Sequence, residues 1–536
     1  NLIYSGNHYE AVEKDSNGKL RFVSGINPRS FSWELTPETH FDTPEAVFSY
    51  SSNGYGGLSR QLHSFIREHI VRGVWKKSPR PVLLNSWEAC YFKIDERKLL
   101  QLAKAGAAVG IELFVMDDGW FSGRNDDTSS LGDWEPDPKK LPGGIVSLSK
   151  KIKALGVDFG LWVEPEMISE NSRLYQEHPD WAMMIPGHPH SEGRNQRLLD
   201  LCNPEVQQYV IDSMTKVFSS GEIRYVKWDM NRNFSDIYSP YLPAAKQGET
   251  AHRYVLGLYH IMDELTTRFP EILFEGCSSG GNRFDLGILS YFPQIWASDN
   301  TDALCRTGIQ NSYSYGYPLS VFTAHVSSCP NHQTLRITPL ETRFQVASFG
   351  ILGYECNLKD LSGSDLNAIR EQIALYKKWR DVFQFGTFYR GTENEDSDSE
   401  TLSWTCVSPD GRRAVGLFFR RLTTPNQSHD WYRPVGLLPD LKYHFYGRNI
   451  KYNLKDFGDL VNTVSPVHIK QGSALQEILS RFVNMDGEKE DLTAYGDTLM
   501  LAGIALKPAF AGTGYNSDTR LFPDFSSRMY FMEAVE

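Results

Sequence analysis

Several acidic residues in this chain each close a short apolar run. Asp117-Asp118 follow Ile111–Met116, Glu164 and Glu166 follow Asp158–Val163, Asp229 ends Tyr225-Val-Lys-Trp-Asp, and Asp299 ends Gln294-Ile-Trp-Ala-Ser-Asp. Carboxyl groups presented in this way suit glycoside cleavage. One attacks the anomeric carbon or activates water, and the other protonates the departing oxygen. A retaining reaction needs the pair about 5 to 5.5 Å apart. Asp229 and Asp299 are the best-placed pair, because they close what count as the fourth and sixth runs. Two strands apart in a closed barrel, such residues can face each other across its mouth. Lys227 has the parity of Asp229, so both side chains are expected to point the same way. An ammonium at that distance would keep a nucleophilic carboxylate ionised. Asp299, among further carboxylates, is expected to be raised in pKa, which suits a general acid. Asp117 and Asp118 can accept hydrogen bonds from adjacent sugar hydroxyls, and no histidine stands near them to suggest a metal.

The elements that would position these residues alternate. From Pro81 to about 360, apolar runs begin at Pro81, Ile111, Asp158, Tyr225, Ile272 and Gln294, with two more near Val321 and Ser348, and helical stretches separate them. Strand–helix alternation means parallel pairing with crossover helices. About eight such units predict a (β/α)8 TIM barrel, whose chemistry sits at the carboxyl ends of its strands. Six runs finish in polar or charged residues there, Asn85-Ser-Trp87 and Cys277 among them. The expected fold class is therefore α/β, a (β/α)8 catalytic barrel over 71–385 with flanking β-sandwich domains. Residues 1–70 read as β-structure with polar turns, including strands at Arg21–Gly25 and Ser30–Leu35, followed by a linker helix from Gly57 to Arg72. Residues 386–536 return to β-patterning, with strands at Leu402–Val407, Arg413–Phe419 and Leu499–Leu506. The acidic stretch Glu393–Glu400 reads as a solvated turn, and the Gly-rich tail from Lys507 as the completion of a sandwich.

The bulk numbers exclude several classes. A net charge of −11 argues against nucleic acid and anionic membrane surfaces, both of which need a basic patch. No apolar stretch is long enough to span a bilayer. The opening residues, Asn1-Leu-Ile-Tyr, read as mid-domain sequence. Seven scattered cysteines without a CxxC pair favour reduced thiols and a cytoplasmic home. His325, Cys329 and His332 have ligand-like spacing, as do His188 and His190, but neither set completes a tetrahedral pattern, so no metal is expected. Cys277-Ser-Ser-Gly-Gly and Ala511-Gly-Thr-Gly lack the Lys-Ser/Thr of a phosphate loop.

Six motifs together carry a resemblance. Met116-Asp-Asp-Gly-Trp120, Gly160-Leu-Trp-Val-Glu-Pro-Glu166, Gly193-Arg-Asn-Gln, Lys227-Trp-Asp-Met-Asn, Cys277-Ser-Ser-Gly-Gly and Trp296-Ala-Ser-Asp-Asn-Thr-Asp302 resemble, in order, those of the bacterial glycoside hydrolase family 36 α-galactosidases. The resemblance implies Asp229 as nucleophile and Asp299 as acid/base. It places Asp117 and Asp118 at the galactose 4- and 6-hydroxyls, Lys227 at O3 and O4, and Arg194 at the ring hydroxyls. Trp87 and Trp162 become aromatic walls, Cys277 and Gly280 neighbours of O2, and Trp296 a further binding residue. One departure is visible: Asn282 stands where the family often has a third glycine. The resemblance also implies that residues 1–70 end an N-terminal β-supersandwich. The assembly implied is a homotetramer in which a neighbour shapes the leaving-group side. The activity implied is retaining hydrolysis of terminal α-galactosides such as melibiose, raffinose and stachyose, without a cofactor. A galactosyltransferase of the raffinose or stachyose synthase type, or an α-N-acetylgalactosaminidase, would share the same two aspartates.

Overall fold

The computed structural model describes every residue except 392–398, 424–429, 449, 464, 481, 487–489, 507–522 and 536. Eight short strands close into a parallel barrel: Leu83–Asn85, Leu113–Met116, Asp158–Val163, Ile223–Trp228, Leu273–Gly276, Gln294–Trp296, Phe322–Ser327 and Ile351–Glu355. Each pairs with the next in sequence, and the eighth returns to the first through Gly353 and Tyr354. All eight anticipated runs contribute a strand. The last strand starts three residues beyond the start of its run, because Ser348 still ends the helix Leu340–Ser348. Leu83, Leu113, Val115, Tyr225 and Leu273 form one buried cluster, so this is a packed barrel and not a pore. Gly160 is required by that packing: a side chain there would meet Tyr225 at 2.7 Å, where the third and fourth strands slip in register.

The helices between strands start and stop where their caps dictate. Asp95 accepts from the Lys98 amide and opens Glu96–Val109. Asn203 precedes Pro204 at the first turn of Pro204–Ser219. Asp302, the last residue of the sixth-strand motif, caps Ala303–Tyr313 through the Cys305 amide. The longer crossover Thr250–Arg268 buries Tyr254, Val255, Leu258, Ile261, Met262 and Leu265 along one face, the stripe expected of a helix covering a sheet.

Residues 1–340 and 347–380 form one compact unit, and 341–346 with 381–536 a second. In the first unit the amino-terminal segment carries a single antiparallel ribbon, His8–Lys14 with Leu20–Ile26. The expected strand at Ser30–Leu35 is absent. Its alternation has a different cause: Phe31 and Trp33, with Phe41 and Tyr4, pack around the ring of His252 on the fourth crossover helix. The helix then runs Gly54–Phe65 and ends in one wide turn, Ile66–Ile70.

The second unit is a six-stranded antiparallel sheet. Its spatial order is Thr387–Arg390, Thr401–Val407, Arg413–Arg420, Ser526–Ala534, Lys442–Gly447 and Asp491–Tyr495. The small pair Asp430–Tyr432 and Ile504–Leu506 lies against one face, where Tyr432, Ile504 and Leu506 join Phe418, Tyr443, Phe445 and Tyr530 in one core. The anticipated strand Leu499–Leu506 is only half realised. Gly496–Leu501 is helical, as its leucine and methionine content favours, and pairing begins at Ile504. Residues 393–398 of the acidic stretch, the turn at Ala511 and the first part of the carboxyl-terminal tail lie outside the described residues.

Candidate active site

A cavity of about 170 Å3 opens at the carboxyl ends of the barrel strands. Nine of the residues singled out from sequence line it: Trp87, Asp117, Asp118, Trp162, Arg194, Lys227, Asp229, Trp296 and Asp299. Cys277 and Gly280 sit in the loop behind this lining. Glu88, Asn231, Thr301, His332, Gln333 and Glu355 also line the cavity and were not anticipated.

Asp229, at the end of the fourth strand, is held by three donors. Trp162 Nε1 reaches Oδ2 at 3.0 Å, Asn231 Nδ2 reaches the same oxygen at 2.7 Å, and the Met230 amide reaches Oδ1 at 2.9 Å. Trp162 is buried and fixed in turn, since its carbonyl accepts from Trp120 Nε1 at 2.9 Å. The anticipated Lys227 does not hydrogen-bond to Asp229. Its ammonium donates to Asp117 Oδ2 at 3.1 Å, and parity alone could not choose between these acceptors. Burial works against that ammonium. The charge of Asp117, with those of Glu355 and Asp229, nevertheless holds it well above the ordinary lysine range.

Asp299, after the sixth strand, is open to the cavity on one side and enclosed by protein on the others. That enclosure is the largest cause pushing its carboxyl above the usual range, and the charge of Asp229 adds to it. A single side-chain donor, Trp296 Nε1 at 2.8 Å, pulls the other way. Trp296 is clasped between cations and an imidazole. Arg306 lies 4.5 Å from its ring centre, and the His325 ring 4.3 Å away. Gly280 supports the same loop. Its φ is +84°, and a side chain there would strike Ser298 Cα and the Asp299 amide at 2.9 Å. The Cys277 thiol, buried and beside Asp229, is pushed far up and stays protonated.

The second strand supplies the opposite rim. Asp117 accepts from Asn85 Nδ2 at 2.7 Å and from Lys227, while Asp118 is gripped by Arg124 through Nε at 3.0 Å and Nη2 at 2.8 Å. Fork-like pairing of this kind fixes orientation as well as charge. Trp87 stands half exposed at the mouth, edge-on to Tyr91 and Phe92. Arg194 reaches the cavity from an exposed turn in which it and Asn195 both have positive φ, 51° and 55°, backbone strain of about 1 to 3 kcal/mol each that collects at ligand clamps.

Two carboxyls of the third strand end hold this arrangement from behind. Glu164 accepts from the Asn231 amide and from Gln196 Nε2 at 2.8 Å, tying the Asp229 turn to the Arg194 turn. Burial, with the charge of Asp229, pushes its carboxyl far above the usual range. Glu166 accepts from Arg283 at 2.8 Å, Trp228 Nε1 at 2.8 Å and Tyr254 Oη at 2.8 Å. At the eighth strand end, burial would raise Glu355, but the bond from His325 Nδ1 at 2.8 Å and the charges of His325, Lys227 and Arg306 hold it below the usual range. Glu355 was missed because its run was placed at Ser348. Asn231 carried a signal, since it lies two residues past Asp229 in the same motif.

Among the described residues, no three His, Cys, Asp or Glu side chains converge as metal ligands. His325 pairs with Glu355, and His332 with Glu88 at 3.2 Å.

Comparison with known proteins agrees along the whole chain. The melibiase family profile matches residues 40–386. Profiles for the N-terminal and C-terminal domains of glycosyl hydrolase family 36 match 1–36 and 401–532. The α-galactosidase AgaA of Geobacillus stearothermophilus is 46% identical over 449 residues, which is 84% of this chain and 61% of that protein. Solved structures of AgaA variants in complex with raffinose and with stachyose match with TM-score 0.86 at 42% identity, covering 100% of this chain and 66% of theirs. The chain thus spans less than two thirds of the length of these relatives.

Proposed function

The chain belongs to the melibiase family, glycosyl hydrolase family 36, and from that premise we propose that it is a retaining α-galactosidase. The observation that carries this reading is the pair Asp229 and Asp299, brought by strands four and six to one cavity, where the charge of Asp229 raises the cost of ionising Asp299. Asp229, oriented by Trp162, Asn231 and the Met230 amide, attacks the anomeric carbon. Asp299, whose surroundings resist a second charge, gives a proton to the leaving oxygen. Water then enters, Asp299 takes a proton from it, and the galactosyl–Asp229 bond is hydrolysed with retention. Asp117, Asp118 and Lys227 receive the hydroxyls at the far end of the ring, Arg194 adds a donor at the rim, Cys277 and Gly280 border O2, and Trp87, Trp162 and Trp296 supply the walls.

The substrate class follows from relatives named α-galactosidases and from AgaA variants bound to raffinose and stachyose. It is a terminal, non-reducing α-galactosyl unit on a galacto-oligosaccharide such as melibiose, raffinose or stachyose. No described helix is long and apolar enough to cross a membrane. The seven cysteines are scattered and include no CxxC pair, which supports a reducing, cytoplasmic setting. The domain limits we propose are 1–70, 71–385 and 386–536, and the assembly a homotetramer, as the family resemblance implies.

The deciding experiment is chemical rescue. Asp229→Ala should lose nearly all turnover on p-nitrophenyl α-galactoside and regain part of it with azide, releasing β-galactosyl azide. An α-configured azide product from Asp229→Ala, or β-galactosyl azide released by Asp299→Ala instead, would reassign the nucleophile.

A further inference from the structure

One buried cation takes no part in the chemistry above. Arg306 sits in the helix Ala303–Tyr313 that follows the sixth strand. The inward residues of that helix are Ala303, Arg306, Thr307 and Gln310, so a stripe that usually carries apolar side chains is mostly polar here. Arg306 is 2% exposed. Its guanidinium donates to two backbone carbonyls, Ser298 at 3.0 Å through Nη2 and Thr323 at 3.3 Å through Nη1. Among the described residues no carboxylate forms an ion pair with it, and its Nε has no hydrogen-bond partner.

Such a group is costly to bury. Burial pulls the guanidinium down to about 10, while the charges of Glu355 and Asp299 draw it back up. It is therefore a cation at neutral pH, removed from water without a partner of opposite charge. An apolar side chain would fill the space without that penalty. What the cation supplies lies in the sixth-strand motif.

Two of its attachments lie just before Asp299. Ser298 is the preceding residue, and Nη2 fixes its carbonyl. Trp296 is three residues earlier, and the guanidinium carbon lies 4.5 Å from its ring centre. That ring turns Nε1 toward Asp299 Oδ1 at 2.8 Å. The other attachment, Thr323, belongs to the seventh strand, so the motif is tied to its neighbour in the barrel. A planar guanidinium can grip two carbonyls and lie against an indole at once, which an ammonium cannot. Asp299 itself is exposed to the cavity and accepts one side-chain bond, so its aim depends on these supports. Lys227 also lies over the Trp296 ring, at 5.8 Å, but its ammonium is committed to Asp117.

We propose that Arg306 is the positioning residue of the acid/base: through the Ser298 carbonyl and the Trp296 ring it aims the Asp299 carboxyl at the leaving oxygen, and its charge favours the carboxylate that forms as the proton leaves. The proposal rests on the α-galactosidase reading. No proton moves to or from Arg306 in either half-reaction. The proton of Asp299 goes to the leaving oxygen in the first and is replaced from water in the second. The charged and titratable groups that face Arg306 are Glu355 on the eighth strand, Glu275 on the fifth, Asp299 itself and, on its own helix, Tyr313. His325 of the seventh strand and Lys227 of the fourth lie against the same indole.

The test compares Arg306→Met and Arg306→Lys with the unsubstituted protein on melibiose and on a dinitrophenyl α-galactoside, whose leaving group needs little help from an acid. Both variants should lower kcat/KM on melibiose roughly ten- to hundredfold, the cost of a misplaced catalytic group, and leave the dinitrophenyl substrate within about twofold. Removing the charge makes the Asp299 carboxylate harder to form, so Arg306→Met should also move the alkaline limb of the melibiose pH profile to higher pH. A side chain that merely fills the core would do neither. The ratio of the two rates does not depend on how much of a variant folds, so Arg306→Lys alone decides where methionine is not tolerated. Equal losses on the two substrates, full melibiose turnover with lysine, or a limb that stays or moves down with methionine would overturn the proposal. An unsubstituted protein inert on both galactosides would instead sink the α-galactosidase reading beneath it.

Discussion

Asp229 and Asp299 present the same carboxyl two strands apart, yet their surroundings differ in kind. Asp229 is buried and saturated with donors: an indole, an amide side chain and a backbone N–H. Asp299 is exposed to the cavity, with one side-chain donor and a neighbouring negative charge, and the protein packed around the rest of it pushes its carboxyl up. The contrast shows how one residue type acquires two jobs. Donors aimed at a carboxylate fix where its oxygens point, as an attacking group requires. Enclosure without donors penalises the ion, as a proton donor near neutral pH requires.

The most damaging way to probe the contrast is at Asp299 itself. Asp299→Asn should lower kcat/KM on melibiose by about 10² to 10⁴, the usual worth of a positioned general acid. With a dinitrophenyl galactoside, whose leaving group needs little protonation, the first half-reaction should be nearly spared. Equal losses on both substrates would erase the distinction between the two carboxyls.

Next in size is the donor set of Asp229. Asn231→Ala removes the 2.7 Å bond to Oδ2. A hydrogen bond to a charged group is worth about 1.5 to 3 kcal/mol, so kcat should fall roughly ten- to hundredfold. The loss should appear on melibiose and on activated aryl galactosides alike, because attack is impaired in both. A loss confined to poor leaving groups would mean that Asn231 serves Asp299 instead.

Much of this contrast was legible before any coordinates. The two aspartates close apolar runs of strand length, and runs four and six of an eightfold alternation meet across a barrel mouth. What sequence could not supply is which donor meets which acceptor. Lys227 and Asp229 share parity, but Asp117, over a hundred residues earlier, arrives at the ammonium first. Glu164 was visible as a strand end, yet its role as the link between the Asp229 and Arg194 turns depends on Gln196 and Asn231 converging from different loops. Glu355 was hidden because a helix end at Ser348 imitated the start of the last strand. Ser30–Leu35 shows the same limit in reverse. Its alternation buries rings against His252 without any neighbouring strand to pair with.

The smallest effects, and the ones that separate burial from charge, lie in the alkaline limb of the pH profile. Asp299 must be protonated to act as acid, so kcat/KM falls as pH rises through its raised pKa. The charged and titratable groups around it are Asp229 and Lys227 on the fourth strand, Cys277 on the fifth, Arg306 on the following helix and Glu355 on the eighth strand. Trp296 supplies the hydrogen bond that lowers its pKa, and Glu355 a charge that raises it. Trp296→Phe should therefore move the alkaline limb to higher pH, and Glu355→Gln to lower pH. The acidic limb should stay in place in both. Glu355 is the more remote influence, so its shift should be the smaller one. If both substitutions move the limb in the same direction, the local pattern of donors and charges is not what distinguishes Asp299, and its enclosure alone must account for the difference from Asp229.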